Sequence, residues 1–342
     1  MNLRIVIKIL GMLAILVGLT MGVCWFYAWV EWQMDKGDAA ARATERAFAI
    51  STGITVGIGI LMFLSGVGTR NEVLRREAIA IVGLSWVQVS LFGALPYYLC
   101  EPGLGAFASI FESVSGFTTT GSSVMTDIEA FPRPVLMWRS LTQWLGGIGI
   151  LVVFVAVLSF LGVGSRSLVA QESSLNISDA GASRIRDVAM SLLKVYLTLT
   201  LICFLGLLGL GMNVFESVCH SMTTIATGGF SPKNASIAHY ANVRIEMWLA
   251  FFMFLSSIGF MLYIFAIKGK WSRIKAEEEA RFYFFLILGA TLAIALDLLL
   301  ATDDYTYLVA IENAFFNVVS IGSTTGFAAS DFDQWPLFHG SC

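Results

Sequence analysis

Six stretches of the chain carry no Asp, Glu, Lys or Arg: Ile9 to Val30, Ala47 to Thr69, Ala78 to Cys100, Ser140 to Ser165, Val195 to Phe215 and Met247 to Ile267, each 21 to 26 residues long. About 20 apolar residues, at 1.5 Å rise each, cross a bilayer core of roughly 30 Å. In lipid, only helices and closed barrels satisfy every backbone polar group. A seventh stretch, Phe282 to Leu300, holds one acid, Asp297, near its end. The sequence therefore predicts seven spanning helices. Only 13% of residues are charged, against about 25% in soluble domains, so a soluble globular chain is excluded. The first stretch is too long for the apolar part of a signal peptide and no convincing cleavage site follows it, so a retained helix is expected.

Loop charge sets the expected orientation. With the N-terminus in the cytoplasm, the inner segments hold 14 of the 21 basic residues and 8 of the 24 acids, and the outer segments hold the rest. The inner face then carries +6 and the outer face −9, which together give the net −3 of the chain. An acidic outer face concentrates cations near an entrance. The five cysteines, Cys24, Cys100, Cys203, Cys219 and Cys342, have no paired spacing and read as small apolar side chains.

The outer connections repeat. Glu101 to Arg139, Met212 to Glu246, and a third beginning near Asp303 each open on an apolar run of roughly 12 residues, too short to span. Each run then breaks into small polar residues: Thr118-Thr119-Thr120-Gly121-Ser122, Ile225-Ala226-Thr227-Gly228-Gly229 and Ser323-Thr324-Thr325-Gly326-Phe327. Aligned on a shared Thr-Gly, the glycines Gly121, Gly228 and Gly326 are 107 and 98 residues apart. The predicted unit is span, short helix, Thr-Gly loop, span. The identical tetrapeptides at Phe111 and Phe215 would align Gly121 with Ile225 and destroy the loop match, so their identity reads as coincidence. The expected fold is an all-α polytopic membrane protein with potassium-channel-like pseudo-repeats. Residues 1–76 form an extra helix pair, 77–166 a first pore repeat, 167–270 a second, and 271–342 an incomplete third.

Non-helical backbone at membrane depth is tolerated where protein buries it or water lines it, so a re-entrant helix followed by an irregular loop implies an aqueous path. Rings of backbone carbonyls replace the hydration shell of a potassium ion. Glycine supplies dihedrals that other residues resist, and the carbonyl end of each short helix favours a cation. The candidate ion-binding residues are Thr119, Thr120, Gly121, Ala226, Thr227, Gly228, Thr324, Thr325 and Gly326. For any single loop, small residues packing helices together is an equal reading. Three loops at matched positions favour the ion path.

Three motifs resemble one family. They are Ser115-Gly116-Phe117-Thr118-Thr119-Thr120-Gly121, the run His220 to Ser231, and Ser323-Thr324-Thr325-Gly326-Phe327. Trp144-Leu145-Gly146-Gly147-Ile148-Gly149 adds to them, as does Arg184-Ile185 leading into Tyr196-Leu197. Together they resemble the membrane subunit of the Trk potassium-uptake systems, in the Trk/Ktr/HKT superfamily of cation transporters. The resemblance implies four span–pore–span repeats behind an extra helix pair, a multi-pass protein of the bacterial inner membrane, and a homodimer with one pore per protomer. It also implies a cytosolic ring of regulatory subunits that bind NAD(H) or ATP/ADP. Potassium is the implied bound ion, with no organic cofactor in this chain, and glycine in all three filter loops goes with potassium over sodium. Lipid is an expected partner and nucleic acid is not. The chain ends 16 residues after Gly326, so the resemblance leaves the fourth repeat and the end of the third beyond Cys342, and a closed conduit from this chain alone is not expected.

Other chemistry fits less well. Gly146-Gly147-Ile148-Gly149 lies in a span with no strand before it, which fits close helix packing and not a nucleotide loop. His220, His239 and His339 lack metal-ligand spacing. Glu216 and Glu312 fall near the starts of the second and third short helices and suit the helix dipole, whereas Glu112 lies deeper and is expected to order the first short helix or its loop by hydrogen bonding. Gly66-Val67-Gly68-Thr69-Arg70 and Gly162-Val163-Gly164-Ser165-Arg166 read as helix ends. Glu277-Glu278-Glu279 reads as a solvated inner loop. Two function classes remain: a channel-like potassium-uptake pore, with a less selective sodium and potassium pore as its variant, and a secondary symporter coupling potassium to protons or sodium. The near absence of charge inside the spans favours the pore. No nucleophile–base or metal pair lies in a span, so an enzyme is not expected.

Overall fold

The computed structural model describes residues 2–68, 74–161, 179–301, 306–330 and 335. The described residues contain helices and turns and no strand. They divide into two compact units, Met1–Gly146 with Phe160–Gly162, and Gly147–Ser159 with Val163–Cys342.

The first unit opens on a helical hairpin, α1 (Leu3–Met34) and α2 (Ala39–Ser65). Asp38 caps α2, its carboxylate accepting from Ala40 N at 2.8 Å. Small residues let the two helices touch through their backbones. A Cβ on Gly11 would lie 2.5 Å from Phe63 N, and one on Gly59 would lie 2.9 Å from Ile15 N. Next come α3 (Arg75–Gly93) and a one-turn helix, α4 (Leu95–Leu99). Glu77 in the first turn of α3 accepts from Leu74 N at 3.0 Å and from Asn2 N at 2.8 Å, tying the start of α3 to the start of α1. A short helix, α5 (Ala106–Phe117), and the long α6 (Arg133–Leu161) complete this part of the chain.

The second unit contains α7 (Asp179–Gly209), the short α8 (Val214–Ile225), a 3-10 turn at Ser236–Tyr240, and the pair α9 (Val243–Ser257) and α10 (Met261–Ile267). After these come α11 (Trp271–Ala276), α12 (Glu278–Ala301) and α13 (Tyr307–Gly322). Asn213 caps α8 by accepting from Glu216 N at 2.8 Å, and α13 packs against α12 and α9.

Five helical stretches among the described residues are long and apolar enough to cross a membrane: Leu3–Met34, Ala39–Ser65, Arg76–Leu99, Val188–Gly209 and Glu278–Leu300. The 29-residue α6 carries the fourth charge-free run as far as Leu161. The sixth run differs from the straight helix the sequence predicts. It is broken between α9 and α10 by a bend of 94°. The break falls at Ile258–Phe260, where Ile258 is extended, beside the Ser-Ser and Gly residues that commonly accompany kinks. Tyr263 Oη spans the break and donates to Leu255 O at 2.6 Å. Arg70, the run Gly162 to Arg166, His339 and Cys342, named from the sequence, lie outside the described residues. Cys24, Cys100, Cys203 and Cys219 are buried and form no disulfide.

Candidate functional site

The three non-spanning helices, α5, α8 and α13, are 12, 12 and 16 residues long. At 1.5 Å per residue they reach about 18 to 24 Å, short of a bilayer core. Each ends in the same way. Thr118, Ala226 and Ser323 cap them, and the next residue, Thr119, Thr227 or Thr324, sits at φ 55°, 50° or 60°. Two hydrogen bonds close each end. Thr119, Thr227 and Thr324 donate to the carbonyls of Gly116, Thr224 and Ile321, and Thr120, Gly228 and Thr325 donate to those of Ser115, Thr223 and Ser320, all at 2.9–3.0 Å. This is the Schellman closure, in which the left-handed residue is usually glycine. A β-branched threonine there is strained, and here it occurs three times.

One further residue along, Gly121, Gly229 and Gly326 have φ of 79°, 74° and 79°. The register of the second loop is therefore shifted by one from the Thr-Gly match. The equivalent triplets are Thr119-Thr120-Gly121, Thr227-Gly228-Gly229 and Thr324-Thr325-Gly326. Gly228 occupies the middle position, Ala226 is the helix cap, and Gly229 takes the place that the sequence reading gave to Gly228. The repeats of Gly121 are thus 108 and then 97 residues on. Gly229 is also glycine for space, because a Cβ there would lie 1.8 Å from Thr325 O. A signal for this register was present in the sequence, since Gly229-Phe230 and Gly326-Phe327 match and both phenylalanines are buried.

In this register the sixth residue before each cap is a buried polar side chain that reaches its own loop: Glu112, His220 and Asn317. In the first unit, Glu112 accepts from Ser123 Oγ at 2.9 Å and from Val124 N at 3.1 Å. Arg139 Nε at the start of α6 donates to Glu112 Oε1 at 2.7 Å, and Arg139 Nη2 donates to Ser123 Oγ at 3.1 Å. In the second unit, His220 Nδ1 donates to Glu216 O at 2.9 Å, and its Nε2 lies 3.2 Å from Ser231 Oγ. Because a carbonyl only accepts, the proton sits on Nδ1 and Ser231 donates to Nε2 in the neutral ring. Asn317 Nδ2 donates to Ser330 Oγ at 3.0 Å. Neither metal-ligand spacing at His220 nor loop charge at Arg139 reveals these contacts in the sequence. Position relative to the helix cap is the signal that unites the three tethers.

Hydroxyls also pair across two of the loops. Thr118 Oγ1 and Thr120 Oγ1 are 2.8 Å apart, and Ser323 Oγ and Thr325 Oγ1 are 2.7 Å apart. The second and third loops lie together within the second unit. Ile237 N and Ala238 N both donate to Ala328 O, at 3.1 and 3.0 Å, and the His220 and Phe327 rings are 5.7 Å apart. In the first unit, Gly146 of α6 receives the end of α5, since a Cβ there would lie 2.0 Å from Phe117 O. Within the second unit, a Cβ on Gly147 would lie 2.5 Å from Tyr196 Oη and 3.3 Å from Ala226.

Glu216 lies in the first turn of α8, with Lys233 Nζ 3.3 Å from its Oε1. Partial burial raises the Glu216 carboxyl, but hydrogen bonds to Tyr240, Asn213 and Lys233 and the Lys233 charge outweigh it, so the group is held below its ordinary 4.5. Glu312, expected at the start of the third short helix, is the sixth residue of α13. Among the described residues no cluster of His, Cys, Asp or Glu could hold a metal ion in the usual way. What the loops offer a ligand is backbone carbonyls and threonine hydroxyls, oxygen donors suited to a hard monovalent cation.

Helices long and apolar enough to cross a membrane, together with short helices that each end in a strained loop, define a multi-pass membrane protein. The family model of TrkH, described as cation transport protein, matches residues 54–340. The chain is 37% identical to the Trk system potassium uptake protein TrkH of Halomonas elongata, over 98% of this chain and 68% of that protein. It is 33% identical to TrkH of Escherichia coli K12, over 99% of this chain and 69% of that protein. Its fold matches the crystal structure of the potassium transporter TrkH from Vibrio parahaemolyticus with a TM-score of 0.84 at 29% identity, covering 99% of this chain and 68% of that one. The chain belongs to the TrkH family of cation transport proteins.

Proposed function

We propose that this chain is the potassium-translocating membrane subunit of a Trk-type uptake system, and that each of its three loops contributes backbone carbonyls to a potassium filter. One observation carries this reading. Three short helices end in a Thr-x-Gly loop with the same two left-handed residues at the same two positions. In this reading the positive φ at the first and third residues, but not the second, turns successive peptide planes so that their carbonyls face a bound cation. The filter residues in this reading are Thr119, Thr120 and Gly121, then Thr227, Gly228 and Gly229, then Thr324, Thr325 and Gly326. The names of the relatives support potassium as the ion.

The finer reading follows the family. The subunit sits in the bacterial inner membrane with its N-terminus in the cytoplasm, pairs with a second copy, and is controlled by a cytosolic ring that binds NAD(H) or ATP/ADP. The charge bias of the loops supports the orientation. Expression in bacterial cells that lack potassium uptake tests the transport function, through growth at low potassium and rubidium influx. Rescue is expected from the chain completed to the length of its relatives with the cytosolic ring present. Failure of that form to move rubidium, together with no potassium binding by the purified protein, would refute the assignment.

A further inference from the structure

A cavity of about 420 Å³ opens between α7 and α10, remote in sequence from the three loops. The two helices present matched faces to it. Lys194, Val195, Thr198 and Leu199 line it from α7, and Tyr263, Ile264, Ile267 and Lys268 from α10. Lys194 immediately precedes the charge-free run that begins at Val195, and Lys268 immediately follows the run that ends at Ile267. Both lysines thus line the cavity beside its apolar residues Val195, Leu199 and Ile264, each next in sequence to an apolar run. Both lysines are exposed, and neither has an ion-pair partner among the described residues. Lys268 is also the C-terminal cap of α10, where its own backbone N–H donates to Ile264 O. Two exposed cations beside an apolar slot between two helices are complementary to a ligand with an anionic head and a hydrocarbon tail.

We propose that this cavity binds one anionic phospholipid, with its phosphate held by Lys194 and Lys268 and an acyl chain lying along Val195, Leu199 and Ile264. Basic pockets between membrane helices at the cytoplasmic side hold anionic headgroups in this way. A zwitterionic lipid would bring its own ammonium to the same two lysines and bind less well.

The test is native mass spectrometry of the purified chain mixed with phosphatidylglycerol or phosphatidylcholine, a readout independent of ion transport. Phosphatidylglycerol is expected to be retained in preference to phosphatidylcholine. Lys194→Gln with Lys268→Gln is expected to lower that retention by about tenfold or more. Lys270→Gln with Arg273→Gln, basic residues outside the cavity, is expected to leave it unchanged. Thr198→Trp, which fills the slot without altering charge, is expected to lower it as well. The proposal is overturned if the Lys194 and Lys268 double variant retains phosphatidylglycerol as well as the unaltered chain does. It is also overturned if the control pair loses as much, if Thr198→Trp has no effect, or if millimolar inorganic phosphate displaces the lipid, which would make the site one for a free anion.

Discussion

Arg139 Nε and Glu112 Oε1 lie 2.7 Å apart with both side chains almost wholly buried, joining the start of α6 to the middle of α5. The pair also holds the chain that follows the first loop, because Ser123 and Val124 both donate to Glu112. Removing one member of a buried ion pair leaves an uncompensated charge and costs about 3–5 kcal/mol. Arg139→Met and Glu112→Leu are each expected to lower the thermal unfolding midpoint of the detergent-solubilised chain. The two together should cost less than the sum of the single changes. Additive losses would mean that the two side chains do not act as a pair.

Thr227 is held at φ 50° with a β-branched side chain. A non-glycine residue in that region costs on the order of 1–3 kcal/mol. Thr227→Gly should therefore raise the unfolding midpoint or leave it unchanged, whereas Thr227→Val keeps the strain and gives no gain. A midpoint that falls on Thr227→Gly and holds on Thr227→Val would show that the left-handed conformation is not a source of strain.

Glu216 gives a defined pH dependence. Its carboxyl is held below 4.5 in the fold, so folding favours the ionised form. The contribution is present above the unfolded value near 4.5 and is lost as pH falls through the lower folded value. The unfolding midpoint of Glu216→Gln is expected to lie below that of the unaltered chain at pH 7, and the gap should close as pH drops below 4.5. A gap that stays constant with pH would rule out the charged contact with Lys233.

The glycines of α6 separate packing from sequence pattern. Gly146 lies where a Cβ would meet the Phe117 carbonyl at 2.0 Å, whereas nothing lies within 4 Å of a Cβ on Gly149. Gly146→Ala is expected to lower the unfolding midpoint and Gly149→Ala to leave it within error. Equal effects would contradict the close approach of α5 to α6.

Five of the seven predicted spans stand as long apolar helices among the described residues, and they were legible because a charge inside hydrocarbon is costly, so its absence marks the run. The bend at Ile258–Phe260 was not, since a broken helix is as apolar as a straight one, and only Ser256, Ser257 and Gly259 hint at it. The short helices before the loops were legible from length alone. The register of the second loop was harder to read, because Gly228 and Gly229 both follow a threonine closely; the shared Gly-Phe at 229–230 and 326–327 was its one sequence signal, and the sign of φ separates the two glycines. Glu112 was marked by its depth in an apolar helix. Its partner, 27 residues away in Arg139, needed the fold. His220 looked like an isolated histidine until the helix cap at Ala226 placed it level with Glu112 and Asn317.

The most direct measurement is rubidium influx in cells that lack potassium uptake, comparing Gly228→Ala with Gly229→Ala in the chain completed to the length of its relatives. The shared loop geometry predicts opposite results. Gly228 occupies the position of Thr120 and Thr325, where side chains already sit, so Gly228→Ala should keep influx and its preference for potassium over sodium. Gly229 occupies the left-handed position of Gly121 and Gly326 and presses on the Thr325 carbonyl, so Gly229→Ala should abolish influx or its selectivity. Full activity in Gly229→Ala with loss in Gly228→Ala would contradict the register, and with it the reading of these loops as a potassium filter.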